Sequence, residues 1–163
     1  MYLKPIGVIH TEFDDEVIRS SLEGVLGIIE VFPEYEGGLH GIDGFSHIIV
    51  VAYLHKVDDE LRKVLKVRPK RLIRLGLKPD EVPEVGVFCT DSPHRPNPIA
   101  ITIVKLLERK GRYLYVDGLD LFNGTPVIDL RAYTPDRAIH DIKLPDWYAS
   151  LMNKAREIHR YGI

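Results

Sequence analysis

The chain has 163 residues, 45% of them hydrophobic and 28% charged, with a formal net charge of −2. That suits a soluble protein with one sizeable core, and it excludes attraction of nucleic acid by the whole molecule's field, so any such affinity must come from a local patch. One cysteine, Cys89, excludes an internal disulfide and a cysteine-type zinc site. No apolar run reaches membrane-spanning length, and LKPIGVIH follows Met1 directly, so the expectation is a cytoplasmic protein without a signal peptide.

Leu3 to Thr11 alternates weakly and reads as a strand. Asp14 to Ser21 reads as a polar loop. Val25 to Phe32 is rich in β-branched residues and predicts a strand, and the glycines between Pro33 and Gly44 predict repeated turns. Phe45 to His55, FSHIIVVAYLH, is the strongest strand, expected to be buried on both faces at its centre. Val57 to Val67 places Val57, Leu61, Val64 and Leu65 at helical spacing, with Asp58 and Asp59 in the first turn. Lys70 to Leu75 reads as a short basic strand.

The second half opens with a strand at Val85 to Thr90 and another from Ile99 to Leu107. A hairpin turn at Arg109 to Arg112 leads into Tyr113 to Val116. Gly118 to Asp129 carries turn chemistry, and Leu130 to Tyr133 is a last strand. From Pro145 the pattern turns helical, with Trp147, Leu151, Ala155 and Ile158 on one face and Gly162 as the stop. Strands dominate and βαβ alternation is missing. The expected fold is mainly β: a small antiparallel β-barrel with peripheral helices, including a C-terminal helix. The expected organisation is a barrel domain over 1–140, with 141–163 as a helical extension packed on it.

Between two of these strands lies SPHRPNP. Pro93, Pro96 and Pro98 fix φ and push Ser92, Arg95 and Asn97 towards extended geometry. A loop stiffened in this way presents His94, Arg95 and Asn97 at small entropic cost. It can equally be a rigid crossover whose Arg and Asn satisfy backbone carbonyls. Arg62 to Lys78 holds eight Lys or Arg in 17 residues and no acid. Several cations on one strip suit a phosphate backbone, and a solvated face would look similar. The seven histidines form no HxH or HExxH pair, and His47 and His55, on one strand, are some ~26 Å apart at 3.3 Å per residue. No metal site is expected. There is no GxSxG, no GxGxxG and no P-loop. Asp120 and Asp129 flank NGTP as turn or cap carboxylates, or as ligands for a ribose hydroxyl or a cation.

GVFCTDSPHRPNPIAIT and DGLDLFNGTPVIDLRAY, with weaker echoes in IGVIHT and GLHGIDGFSHIIVVAYLH, resemble the TsaA-like (YaeB, TrmO) family of S-adenosylmethionine-dependent tRNA methyltransferases. The likeness runs from about residue 5 to 135. It implies a small β-barrel, a homodimer with the cofactor near the subunit interface, and S-adenosylmethionine as methyl donor. The implied substrate is tRNA, methylated on the exocyclic nitrogen of threonylcarbamoyl-adenosine beside the anticodon.

By position, the resemblance implies cofactor contacts from His55 and Lys56, from Ile101, and from Gly118, Leu119, Asp120 and Leu121. Arg95 joins them as part of the proline loop. Where the family carries a cofactor-contacting Arg before SPHRPNP, this chain has Asp91, a reversal of charge. The early family signature PRQPG is reduced here to Ile18-Arg19-Ser20-Ser21-Leu22, with only the Arg kept. Lys63, Lys66, Arg68, Lys70, Arg71 and Arg74 become candidates for the tRNA surface, because bases splay out in an anticodon loop. No residue is assigned as the base. The alternatives are a non-catalytic module of the same fold that binds cofactor or RNA, and a methyltransferase with another substrate.

Overall fold

Alternating burial along the strands builds a closed barrel. In a computed structural model that describes residues 1–161, the elements run β1 (Gly7–His10), α1 (Asp15–Ser20), β2 (Val25–Val31), β3 (His47–Tyr53), β4 (Lys66–Val67), α2 (Lys70–Arg74), β5 (Val85–Gly86), β6 (Ile99–Lys110), β7 (Tyr113–Leu119), β8 (Pro126–Ala132) and α3 (Asp146–Tyr161). Short 3-10 turns link several of them. Six strands close in the order β1-β2-β7-β6-β3-β8, every pair antiparallel. The expected barrel is therefore present. The helical stop expected at Gly162 lies outside the described residues.

Ile9, Ile29, Ile48, Val50, Val104, Leu114, Val116 and Val127 point inward and are fully buried. Side chains fill the interior of so small a barrel, leaving no channel. Ile18, Leu39 and Leu121, from the connections between strands, join the same core. Register shifts at Val25/Gly27, Val51/Ala52 and Leu106/Glu108 mark irregularities of the bulge type, which add the local twist that closure requires. Gly24 lies against Gly118, so close that a Cβ on Gly24 would fall 2.4 Å from the Gly118 carbonyl carbon. That approach fixes where β7 ends.

Contacts divide the chain into two compact units. One comprises residues 1–57 and 98–137 and contains the barrel. The other comprises residues 58–97 and the C-terminal segment from Ala138. Within the second unit, α3 shares a small core with α2. Leu72, Leu77, Val82 and Ala155 are its buried members, with Trp147, Leu151 and Met152 packed beside them.

Several local expectations need correction. Asp14 to Ser21 is not a loop: Asp14 caps α1, its Oδ1 accepting the Val17 N–H at 2.9 Å, and Ile18 anchors the helix in the core. β3 is not buried on both faces. Ile48, Val50 and Ala52 are buried, whereas Ile49 and Val51 lie opposite Ile103 and Ile101, which are 50% and 71% exposed.

Val57 to Val67 forms no helix. After one 3-10 turn, Leu61–Lys63, the chain extends so that Lys66 and Val67 pair with Gly86 and Val85. Lys70 to Leu75 is a helix, not a strand. Its end explains why: the Gly76 N–H donates to the Ile73 carbonyl and the Leu77 N–H to the Leu72 carbonyl, the paired bonds of a glycine-ended helix with Gly76 at φ +100°. Strands β6 and β7 also run further than expected, to Lys110 and Leu119, and β8 begins at Pro126.

Candidate functional site

In the barrel unit, three segments singled out from the sequence meet at one recess. Lys56, just beyond β3, donates from Nζ to Asp15 Oδ2 of α1 at 2.5 Å. The same ammonium lies 5.3 Å from the centroid of the Phe122 ring, and the Arg19 guanidinium lies 5.4 Å from it. Phe122 follows directly on Leu121 in the turn after β7. Two cations at one aromatic ring use its negative quadrupole, and Asp15 and Glu16, paired with Lys56 and Arg19, offset their mutual repulsion.

Hydrogen bonds hold the turn in place. Asn123 Oδ1 accepts the Thr11 N–H at 3.1 Å, and the Gly124 N–H donates to the Ile9 carbonyl at 2.8 Å. Buried Thr125 donates from Oγ1 to the Phe122 carbonyl at 2.6 Å. These bonds tie the GTP turn to the end of β1. The tie places Phe122 and Asn123 beside α1.

The recess has a volume of about 720 Å³ and is lined by Thr11, Glu12, Phe13, Asp14, Asp15, Glu16, Arg19, Lys56 and Asn123. Four carboxylates line it against two cations, and Arg19 pairs with Glu16 at 2.8 Å as Lys56 does with Asp15, so its field favours a positively charged ligand. A second hollow of about 490 Å³, near Tyr35, His40 and Phe45, includes Asp129 but none of the residues for which the resemblance implies a cofactor or RNA contact.

His55 is exposed beside Lys56. Its pKa is lowered from the ordinary value of 6.5, chiefly by desolvation and then by the Lys56 charge, with Asp15 opposing. The imidazole is thus biased towards its neutral form.

The other expected cofactor residues of this unit fall into two kinds. Leu119 and Leu121 are 0% and 1% exposed, so their side chains belong to the core and only their backbone can meet a ligand. Gly118, at φ +82°, makes the bend that allows this, and Asp120 is exposed at the turn. Ile101 faces outward on β6, opposite Val51.

Asp91 and Arg95 belong to the other unit. Asp91 is exposed. Arg95 is half-buried and turned onto its own loop, Nη1 donating to the Thr90 carbonyl at 2.8 Å and, more weakly, to Ser92 at 3.4 Å. Thr90 Oγ1 accepts the Ser92 N–H, Ser92 Oγ accepts the His94 N–H, and Arg62 Nε donates to the Pro96 carbonyl at 3.0 Å. The loop is braced by hydrogen bonds as well as by proline.

The basic run is not uniform either. Arg68 donates from Nη1 to the Val82 carbonyl at 2.5 Å, and Lys63 pairs with Glu60 at 2.6 Å. Lys70, Arg71 and Arg74 share the short helix α2. Among the described residues, Lys66, Lys70 and Arg71 meet no carboxylate, so their charges stay available. No group of three His, Cys, Asp or Glu side chains among the described residues is placed to hold a metal ion, and no helix is long and apolar enough to cross a membrane.

Sequence reasoning missed Phe122 and Asp15. The signal for Phe122 was present: an aromatic directly after the turn already singled out. Asp15 had none, since it matters only once α1 forms.

The model of the tRNA-methyltransferase O N-terminal domain matches residues 9–138. A probable S-adenosyl-L-methionine-binding protein of Pyrococcus abyssi is 34% identical over 163 residues, 98% of this chain and 82% of that protein. An S-adenosyl-L-methionine-binding protein of Archaeoglobus fulgidus is 39% identical over 139 residues, covering 83% of this chain and 91% of that one. The human tRNA (adenine(37)-N6)-methyltransferase is 40% identical over 103 residues, but these are 63% of this chain and only 21% of that enzyme. Among solved structures, a crystal structure of TrmO superposes with a TM-score of 0.66 at 28% identity, covering 88% of this chain and 62% of that one. With a matching barrel, a family model spanning most of the sequence and a relative similar along nearly its whole length, the chain belongs to the tRNA-methyltransferase O family of S-adenosylmethionine-dependent tRNA methyltransferases.

Proposed function

We propose that this chain transfers a methyl group from S-adenosylmethionine to the exocyclic nitrogen of threonylcarbamoyl-adenosine beside the tRNA anticodon, acting in the cytoplasm as a homodimer. The observation that carries the reading is the meeting of α1, the end of β3 and the turn after β7 around Phe122. The chemistry of that recess fits the donor. Arg19 and Lys56 suit its carboxylate in exchange for their present acid partners, and the acids at 12 and 14–16 suit its ammonium and sulfonium charges; Asp120, exposed on the turn after β7 and outside the lining, suits a ribose hydroxyl. Its volume lies within the range of small-molecule sites, roughly 300–1,000 Å³.

When bound, the donor supplies an electrophilic methyl on a sulfonium, and in-line displacement requires alignment more than covalent help. The chain's part is to orient and to exclude water. The turn from Gly118 to Leu121 offers backbone groups from a rigid bend, and neutral His55 adds no further positive charge beside the sulfonium. Dimer formation is assigned to the outer face of β3 and β6, where Ile49, Val51, Ile99, Ile101 and Ile103 form an apolar surface.

Calorimetry with S-adenosylmethionine and transfer of labelled methyl to tRNA with and without the threonylcarbamoyl group test the reading. The expected result is cofactor binding, with transfer only to the modified tRNA. Binding without transfer to any tRNA would leave a non-catalytic module. Transfer to unmodified tRNA would mean a different substrate, and a monomer in sedimentation would remove the dimer.

A further inference from the structure

Among the described side chains of the second unit, the most exposed aromatic is Phe88, with 78% of its surface open. Its exposure is imposed by a fixed backbone. Phe88 is the middle residue of a 3-10 turn, Val87–Cys89, whose first side chain, Val87, is 1% exposed. The Val87 N–H donates to the Leu65 carbonyl at 3.0 Å, and Val87's own carbonyl accepts both the Thr90 N–H and the Thr90 hydroxyl, at 3.1 and 3.0 Å. With the turn pinned on both sides, the phenyl ring has no route into the core.

The surroundings suggest what covers it. Leu65, whose carbonyl holds the turn, is itself 59% exposed. The next residue, Lys66, lies opposite Gly86 in the β4–β5 pair, so no cross-strand side chain shields or neutralises it. The whole segment from Arg62 to Lys78 contains no acid. A flat apolar face on a segment paired with the strand that carries Lys66, whose ammonium meets no carboxylate among the described residues, matches a single-stranded polyanion with flat bases. It matches a second copy of this chain poorly, because that copy would bring the same cations to the contact.

We propose that Phe88 is a stacking platform for an unpaired base of the RNA substrate, with Lys66 neutralising an adjacent phosphate. This rests on the tRNA reading above and adds a positioning residue to it. Base stacking on an aromatic side chain tolerates any base, because each has a π-face. Phe88 therefore supplies affinity and placement, while sequence is read elsewhere.

The test uses the full chain and two probes: a synthetic anticodon stem-loop carrying the threonylcarbamoyl group, and a single-stranded oligonucleotide. Fluorescence anisotropy gives RNA affinity at several salt concentrations, and calorimetry gives cofactor affinity. Phe88→Ala should weaken binding of both RNAs by roughly ten-fold or more, and Phe88→Tyr should restore it. Lys66→Ala should lower the salt slope by about one. Cofactor affinity should be unchanged in all three. Cys89, next to the ring and exposed, offers an independent readout: RNA should slow its alkylation in the wild type and not in Phe88→Ala.

Wild-type RNA affinity in a folded Phe88→Ala protein would overturn the proposal. So would a change in oligomeric state with RNA binding intact, which would assign the ring to a protein contact. If the wild type binds the oligonucleotide but does not methylate the stem-loop, the methyltransferase reading fails while the Phe88 comparison stands. If the wild type binds neither RNA, both fall.

Discussion

Replacing Arg95 with alanine should loosen the proline loop without unfolding the protein. Its guanidinium makes one short bond, 2.8 Å to the Thr90 carbonyl, and one long one, 3.4 Å to Ser92. A hydrogen bond involving a charged group contributes about 1.5–3 kcal/mol. Half-burial lets water replace part of the short bond, and the long bond adds little, so the loss is near ~2 kcal/mol. That is about a 30-fold rise in local opening. The amides that report it are Ser92 and His94, whose N–H groups are held by Thr90 Oγ1 and Ser92 Oγ. Native-state hydrogen exchange should show both accelerating by about this factor, while barrel amides such as those of β3 change much less. Arg95→Lys should fall between, since an ammonium keeps the charge and a donor but not the planar, pre-organised geometry that sets Nη1 against the Thr90 carbonyl. Unchanged protection at 92 and 94 in Arg95→Ala would refute the argument and leave proline alone as the brace.

Phe122→Ala removes two cation–π contacts, each worth about 0.5–1 kcal/mol at an exposed site. Denaturant titration should show a loss of about 1–2 kcal/mol; unchanged stability would mean that Arg19 and Lys56 keep their places without the ring. His55 has a folded pKa below its ordinary value of 6.5, so the unfolded chain takes up the proton first. Stability should therefore be complete above about pH 6.5 and decline as pH falls towards the folded value. Cofactor affinity should drop over the same range as the ring becomes cationic, and His55→Gln should flatten both profiles. Gly76→Ala places a side chain at φ +100° and 3.1 Å from Ile158 Cγ2. Denaturant titration should show a loss of about 1–2 kcal/mol, and full stability would mean that the end of α2 readjusts freely.

The barrel was legible where one residue decides one face. β3 and β6 announce themselves through β-branched residues, and the turn at Gly111 and Arg112 through its glycine. Helices α1 and α2 were not, for the same reason in both. Each is too short for periodicity to register, and each is fixed by a contact distant in sequence: Ile18 in the barrel core, Leu72 against Ala155 of α3. Their caps were visible in retrospect, Asp14 three residues before Val17 and Gly76 just past Leu75. The site divides likewise. Lys56 and the turn at Gly118 were readable from motif position. That Leu119 points inward follows only from the register of β7 with β2, and the burial of Leu121 in the turn and the pairing of Lys56 with Asp15 only from the fold.

The six main strands have no first or last member, because β8 returns to β1. A ring of this kind exposes no row of unsatisfied main-chain N–H and C=O groups, so another chain cannot join it by adding a strand. What remains open to such pairing is the two-residue ribbon of β4 and β5, too short to template an extended neighbour. Recognition of a second subunit or of RNA must then run through side chains and loops. Those surfaces can be altered one substitution at a time while the hydrogen-bonded ring beneath them stays the same.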